Sequence, residues 1–220
     1  MSLTAFPSGL VPAYHPSGLI RSIAHQGILL PGTNVNIFKG QPVKVLIGTG
    51  ATVNGVTIPA GQTYLAPCTA AADKIFGVFA GVEYFDATGF PQESNFWPAS
   101  QTTFANTVIT AFIWEDPLIE YTIQTDGTSS GVAVTPGLGD SYPRYDGREL
   151  NIVNFAAGSA TVGLSQCAAG LSTLVATGTQ GQLFITKTDP TILNQTQGDA
   201  FLQLQVRIAN SQTATPFVSV

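Results

Sequence analysis

Charge is what this sequence has least of. Only 10% of its residues are Asp, Glu, Lys or Arg, against about 25% in an ordinary soluble domain. Apolar residues stand at 44%, enough to build a core, so disorder is excluded. Thr, Ser, Asn, Gln and Gly fill the gap, which leaves a mostly neutral polar surface. A protein free in solvent usually keeps more charge to stay dispersed. A charge-poor surface fits a chain whose neighbours cover part of it, and so points towards assembly.

Other absences exclude whole classes of function. The eight basic residues are spread singly (Arg21, Lys39, Lys44, Lys74, Arg144, Arg148, Lys187, Arg207). No cluster is present to displace counterions from a phosphate backbone, so direct nucleic-acid binding is not expected. No run approaches the roughly 18 apolar residues of a membrane-spanning helix. The start, "MSLTAFPSGLVPAYHPSG", lacks a charged segment ahead of an apolar run, so no secretory signal is visible. The two cysteines, Cys68 and Cys167, sit among small residues and are expected to be free thiols packed in a core. Neither of the two histidines, His15 and His25, has a Cys, His or acid at metal-ligand spacing, and no Gly-x-Ser-x-Gly supplies a nucleophile for one. No catalytic residue, metal ligand or cofactor-binding motif is assigned.

Helical periodicity is also missing, apart from one possible turn after Thr69 in "CTAAADKIF". What is present is β pattern. "FLQLQVRIA" (201–209) alternates strictly, with Leu202, Leu204, Val206 and Ile208 on one face. "NVNIFKGQPVKVLIG" (34–48) alternates in two pieces. "TVNGVTI" (52–58) places Asn54-Gly55 between β-branched residues, a strong hairpin signal. "KIFGVFAGVEYF" (74–85) reads as a buried strand with close backbone approach at Gly77 and Gly81. Further strands are expected at 149–155, 160–164, 171–176 and 182–187, with turns at Thr88-Gly89, Asp126-Gly127, Asp146-Gly147 and Asp189-Pro190. The expected fold is all-β, a jelly-roll-like sandwich or barrel over residues 34–220. Residues 1–33 stand apart. Pro7, Pro12, Pro16 and Pro31 resist helix and central strand, yet the segment is rich in apolar side chains. It is expected to be an extended arm lying on its own domain or on a neighbour, with Phe6, Leu10, Tyr14, His15, Leu19 and Arg21 as interaction residues.

The densest acidic stretch is "TAFIWEDPLIEYTIQ" (110–124). Two alternating runs flank Glu115-Asp116-Pro117-Leu118, where Pro117 presets a turn. The expectation is a hairpin with an acidic tip. A hydrolase would need two carboxylates about 5–10 Å apart across a cleft, one of them with a raised pKa. Glu115, Asp116 and Glu120 have nothing nearby in sequence to bury them. "GTGATVNG" (48–55) has the composition of a phosphate loop, but a hairpin follows it and not a helix. Asn194-Gln195-Thr196 is a glycosylation triplet without a secretory context. Tyr84, Phe85, Phe96, Trp97 and Trp114 could stack sugars, although aromatics in β folds are more often core.

Three blocks carry a family resemblance. They are "FPSGLVPAYHPSGLIR" (6–21) with "IFKGQPVKV" (37–45); "IFGVFAGVEYFDATGFPQESNFWPA" (75–99) running into "AFIWEDPLIEYTIQTDG" (111–127); and "GDAFLQLQVRIAN" (198–210). In this order the chain resembles the minor capsid proteins, the cement or decoration proteins, of tailed bacteriophages. The most specific block is the second, with Phe-Trp-Pro and then Asp-Pro. The resemblance implies a non-enzymatic structural protein of the virion, made in the bacterial host's cytoplasm. It implies a jelly-roll-like homotrimer on the capsid exterior that binds the major capsid protein and stabilises contacts between coat subunits. The alternative open to the residues alone is a carbohydrate-binding module of a phage fibre or adhesin.

Overall fold

The computed structural model describes residues 7–26, 35–50, 52–53, 56–99, 101–104, 107, 109–127, 145–176, 179–188 and 201–214. Eighteen strands lie among them: β1 (Val11–Tyr14), β2 (Ile23–Gln26), β3 (Ile37–Phe38), β4 (Pro42–Ile47), β5 (Thr52–Val53), β6 (Val56–Thr57), β7 (Thr63–Pro67), β8 (Gly77–Phe85), β9 (Pro91–Ser94), β10 (Phe96–Trp97), β11 (Thr110–Trp114), β12 (Glu120–Gln124), β13 (Glu149–Val153), β14 (Gly158–Ser159), β15 (Leu164–Ser165), β16 (Ala168–Gly170), β17 (Leu183–Thr188) and β18 (Gln203–Ile208). Among the described residues the one helical element is a single 3-10 turn, Leu171–Thr173.

Two antiparallel sheets organise the chain. The first has the order β1-β12-β18-β17-β13-β16, and the second β2-β11-β8-β4-β7 with β9 beside β8. Neither closes on itself, so the fold is a β-sandwich and not a barrel. The first sheet follows its sequence pattern. Leu204, Val206 and Ile208 are buried together with Tyr121, Ile123, Leu150, Ile152, Leu183 and Ile185, while Gln203, Gln205 and Arg207 on the alternate positions are only partly covered. That is the inside–outside alternation of a sheet with one solvated face. A second core of Ile37, Val43, Leu65, Phe79, Val82, Trp97 and Ile113 packs on the second sheet. There β8 shifts register against β11 between Phe112 and Ile113, so that Phe112 pairs with Gly81 and Ile113 with Phe79. The extra residue, Ala80, is a β-bulge.

Several expectations need correction. The acidic stretch is not a hairpin: β11 belongs to the second sheet and β12 to the first, so residues 115–119 cross between sheets. Alternation identifies both strands but is silent on their partners. Residues 160–163 form a turn between the paired β14 and β15, not a strand. The strand expected at 171–176 is instead the 3-10 turn, and the strand of that region lies earlier, in β16, which pairs with β13. Ala168, Ala169 and Gly170 are too small to give a β signal, yet all three are buried. After Thr69 there is a hydrogen-bonded turn, in which the Thr69 and Ala70 N–H groups donate to the Asp73 carboxylate at 2.8 and 3.1 Å. Asn54-Gly55, Asp189-Pro190 and the triplet 194–196 lie outside the described residues. The flanks of Asn54-Gly55 do pair, Val53 with Val56, as a two-residue hairpin loop requires.

Candidate functional site

The N-terminal segment and the sheet crossing build one site together. β1 is the edge of the first sheet and pairs with β12; β2 is the edge of the second and pairs with β11. Residues 15–22 therefore cross between the sheets alongside residues 115–119. The described part of the arm, residues 7–26, pairs with strands of its own chain. Pro12 is tolerated because an edge strand has one side without ladder bonds.

Two glycines let the segment enter. Gly9 and Gly40 have φ values of +69° and +84°, a region that costs other residues about 1–2 kcal/mol. A Cβ on Gly9 would lie 2.5 Å from the Gly40 carbonyl oxygen, and one on Gly40 would lie 2.8 Å from the Ser8 carbonyl oxygen. This close approach lets the Leu10 N–H donate to the Gly40 oxygen at 2.9 Å. Leu10 itself is completely buried in the larger core. It therefore anchors the segment to its own body and has no surface to offer a partner.

Both histidines of the chain hold the crossing. His15 Nε2 lies 3.2 Å from Asp116 Oδ2, and His25 Nε2 lies 2.9 Å from Glu115 Oε2. The first pair ties the loop after β1 to the crossing, and the second ties β2 to its start. The third carboxylate, Glu120, receives the Arg207 guanidinium at 2.7 Å on the outer face of the first sheet. The three acids of the stretch thus serve three separate partners. Asp116 also accepts the Leu118 N–H at 2.8 Å, the turn contact expected of an Asp before Pro.

Between the arm and the crossing lies a groove of about 540 Å3, lined by His15, Leu19, Arg21, Ile23, Asp116 and Ile119. Around it, Val11, Tyr14, Leu19, Ile23 and Leu118 are each more than 40% exposed. Of the six interaction residues expected from sequence, Tyr14, Leu19 and Arg21 present themselves to solvent here. His15 is engaged with Asp116, Leu10 is core, and Phe6 lies outside the described residues.

The proposed aromatic platform does not exist as a unit. Trp97 is fully buried, and Tyr84 meets it edge-to-face at 5.2 Å inside the second core. Phe96 stacks on Phe38 at 5.7 Å. Trp114 instead joins Ser22, Lys39, Glu93, Asn95 and Phe112 in a separate cleft of about 480 Å3, beside the Ala80 bulge. Lys39 Nζ lies 5.9 Å from the centre of the Trp114 ring, within cation–π range. Sequence reasoning did not single out Phe90 and Phe104, which are 67% and 49% exposed. The available signal was the turn residues Thr88-Gly89 directly before Phe90.

The thiols are free and buried. Burial pushes Cys68 up to about 12, with the Asp73 charge adding to it. Burial likewise pushes Cys167 up to about 11. Neither is a nucleophile at neutral pH. No three His, Cys, Asp or Glu side chains come close enough to hold a metal among the described residues.

No protein-family model, curated protein or solved structure matches this chain. The functional reading therefore rests on the residues and their geometry.

Proposed function

We propose that this chain is a non-enzymatic structural protein of a phage virion. In this reading it sits as a homotrimer on the capsid exterior, binds the major capsid protein and stabilises joints between coat subunits. The observation that carries the reading is the face built by the arm and the sheet crossing. Five large apolar side chains are exposed there on a scaffold pinned by two histidine–carboxylate pairs. Such a surface is organised before binding, so little entropy is lost on docking. A repeating lattice multiplies modest contacts through avidity, which suits a surface of low charge. The blocks that resemble cement proteins include both ribbons of this face, residues 6–21 and 111–127.

The test is co-sedimentation of the purified chain with shells assembled from a candidate major capsid protein. Saturable binding that falls at least about tenfold in Val11→Ala/Tyr14→Ala supports the reading. Equal binding by the parent and this variant contradicts the role of the face.

A second reading, a carbohydrate-binding module, draws on the Trp114 cleft. Its aromatic, amide, ammonium and carboxylate groups are the kinds that grip a sugar ring. Saturable glycan-array binding lost in Trp114→Ala would favour it over the first.

A further inference from the structure

The groove at the arm has a counterpart elsewhere on the same molecule. The turn joining β8 to β9 carries Phe85 and Phe90, with Phe104 from the segment after β10 beside them; they are exposed by 39%, 67% and 49%. The tip is held in one conformation. Asp86 Oδ1 accepts the Thr88 hydroxyl at 2.6 Å, the Thr88 N–H at 2.9 Å and the Phe90 N–H at 3.1 Å, and Oδ2 accepts the Gln92 amide at 2.9 Å. The Phe104 N–H donates to the Phe85 carbonyl at 3.1 Å, bringing the third phenylalanine alongside.

Beside the rings, Glu83 and Glu93 stand directly opposite one another across β8 and β9. Like charges in that position destabilise a sheet. Both are exposed, and neither forms an ion pair among the described residues. The groove offers Leu19, Ile23 and Ile119 as apolar lining, with Arg21 at its side and the Asp116 carboxylate of the lining already engaged by His15. Arg21 is likewise exposed and without an ion pair among the described residues.

Within one molecule the phenylalanine tip does not reach the groove. Ile23 pairs with Ile113, which pairs with Phe79. Phe85 lies six residues further along β8, about 20 Å away at the usual strand rise. We propose that the groove receives the phenylalanine tip of a second copy of this chain, with Arg21 of one copy bonding Glu83 of the next. The contact joins two different patches, so it is head-to-tail and repeats around a ring or along an open chain. It rests on the self-association proposed above and supplies its interface. The guanidinium fork suits a carboxylate, and aromatic side chains with arginine are the residue types that dominate interface energies.

Sedimentation equilibrium of the full-length chain tests this. The parent is expected to exceed monomer mass in a concentration-dependent way. Arg21→Glu and, separately, Phe90→Ala are expected to weaken association about tenfold or more, with unchanged thermal midpoints because both residues are exposed. Arg21→Glu combined with Glu83→Arg is expected to regain association. A parent that associates identically to Arg21→Glu and Phe90→Ala overturns this interface but leaves self-association standing. A double variant that stays as weak as Arg21→Glu overturns the charge pairing. A parent that is monomeric at every concentration overturns interface and oligomer together.

Discussion

At the scale of single residues, the chain's few ionisable groups are placed with clear consequences. Glu149 is completely buried. One carboxylate oxygen accepts the Gly181 N–H, while Oε1 has no hydrogen-bond partner among the described residues. Burial raises its pKa, although the Gly181 bond works in the other direction. Folding therefore favours the protonated acid. Its favourable contribution is complete below the ordinary carboxylate range and is lost as pH rises through the folded value. Glu149→Gln keeps an oxygen for Gly181 without the charge. It should be more stable than the parent at pH 7 by about 1 kcal/mol, and the gain should vanish near pH 4. Urea unfolding at the two pH values checks this, and an equal gain at both would contradict it. Asp86 has the opposite sign. The Thr88 hydroxyl leads the bonds that bring its pKa down to about 2. Its contribution is present above the ordinary Asp range and lost as pH falls towards 2. The thiols give a simple check. Cys68 and Cys167 should react with an aromatic disulfide reagent at pH 8 only after denaturation, and rapid labelling of the folded chain would contradict their burial.

At the scale of elements, residues 7–26 are structural as well as exposed. Removing residues 2–20 would take away Leu10 and the edge strand β1, so the remaining body should lose stability instead of surviving intact. Leu10→Ala alone should cost about 2–4 kcal/mol. Two glycines separate conformation from contact. Gly9 and Gly18 share a left-handed backbone, but a Cβ on Gly18 would meet nothing within 4 Å. Gly18→Ala should cost about 1 kcal/mol, whereas Gly9→Ala should cost clearly more because it also displaces Gly40. Thermal unfolding of the pair measures the difference, and equal losses would refute close approach as the reason for Gly9. This is also the scale at which sequence was most and least informative. Alternation made β18 and β11 legible, because each buries one face. It could not reveal that β11 and β12 join different sheets, because Asp116-Pro117 suits a tight hairpin and a sheet crossing equally. It missed β16 because alanine and glycine carry little strand preference.

At the scale of the whole molecule, the two-sheet sandwich followed from composition and pattern, and its assembly from contacts no local pattern encodes. The Pro-rich apolar arm was visible in the sequence. Its attachment was not, because the residues that His15 and His25 grip lie 101 and 90 positions away. Glu115, Asp116 and Glu120 hold β segments together, and large exposed apolar side chains stand both along the arm and crossing and around the β8–β9 turn. In the proposed role these are its surfaces for contact with neighbours. Electron microscopy of intact particles purified from cells producing this chain tests the claim most directly. The account predicts density for this sandwich on the outside of the shell, over joints between coat subunits, with the face of Tyr14 and Leu19 against a neighbour. Particles whose outer surface carries no such density, with the chain remaining in the soluble fraction, would contradict it.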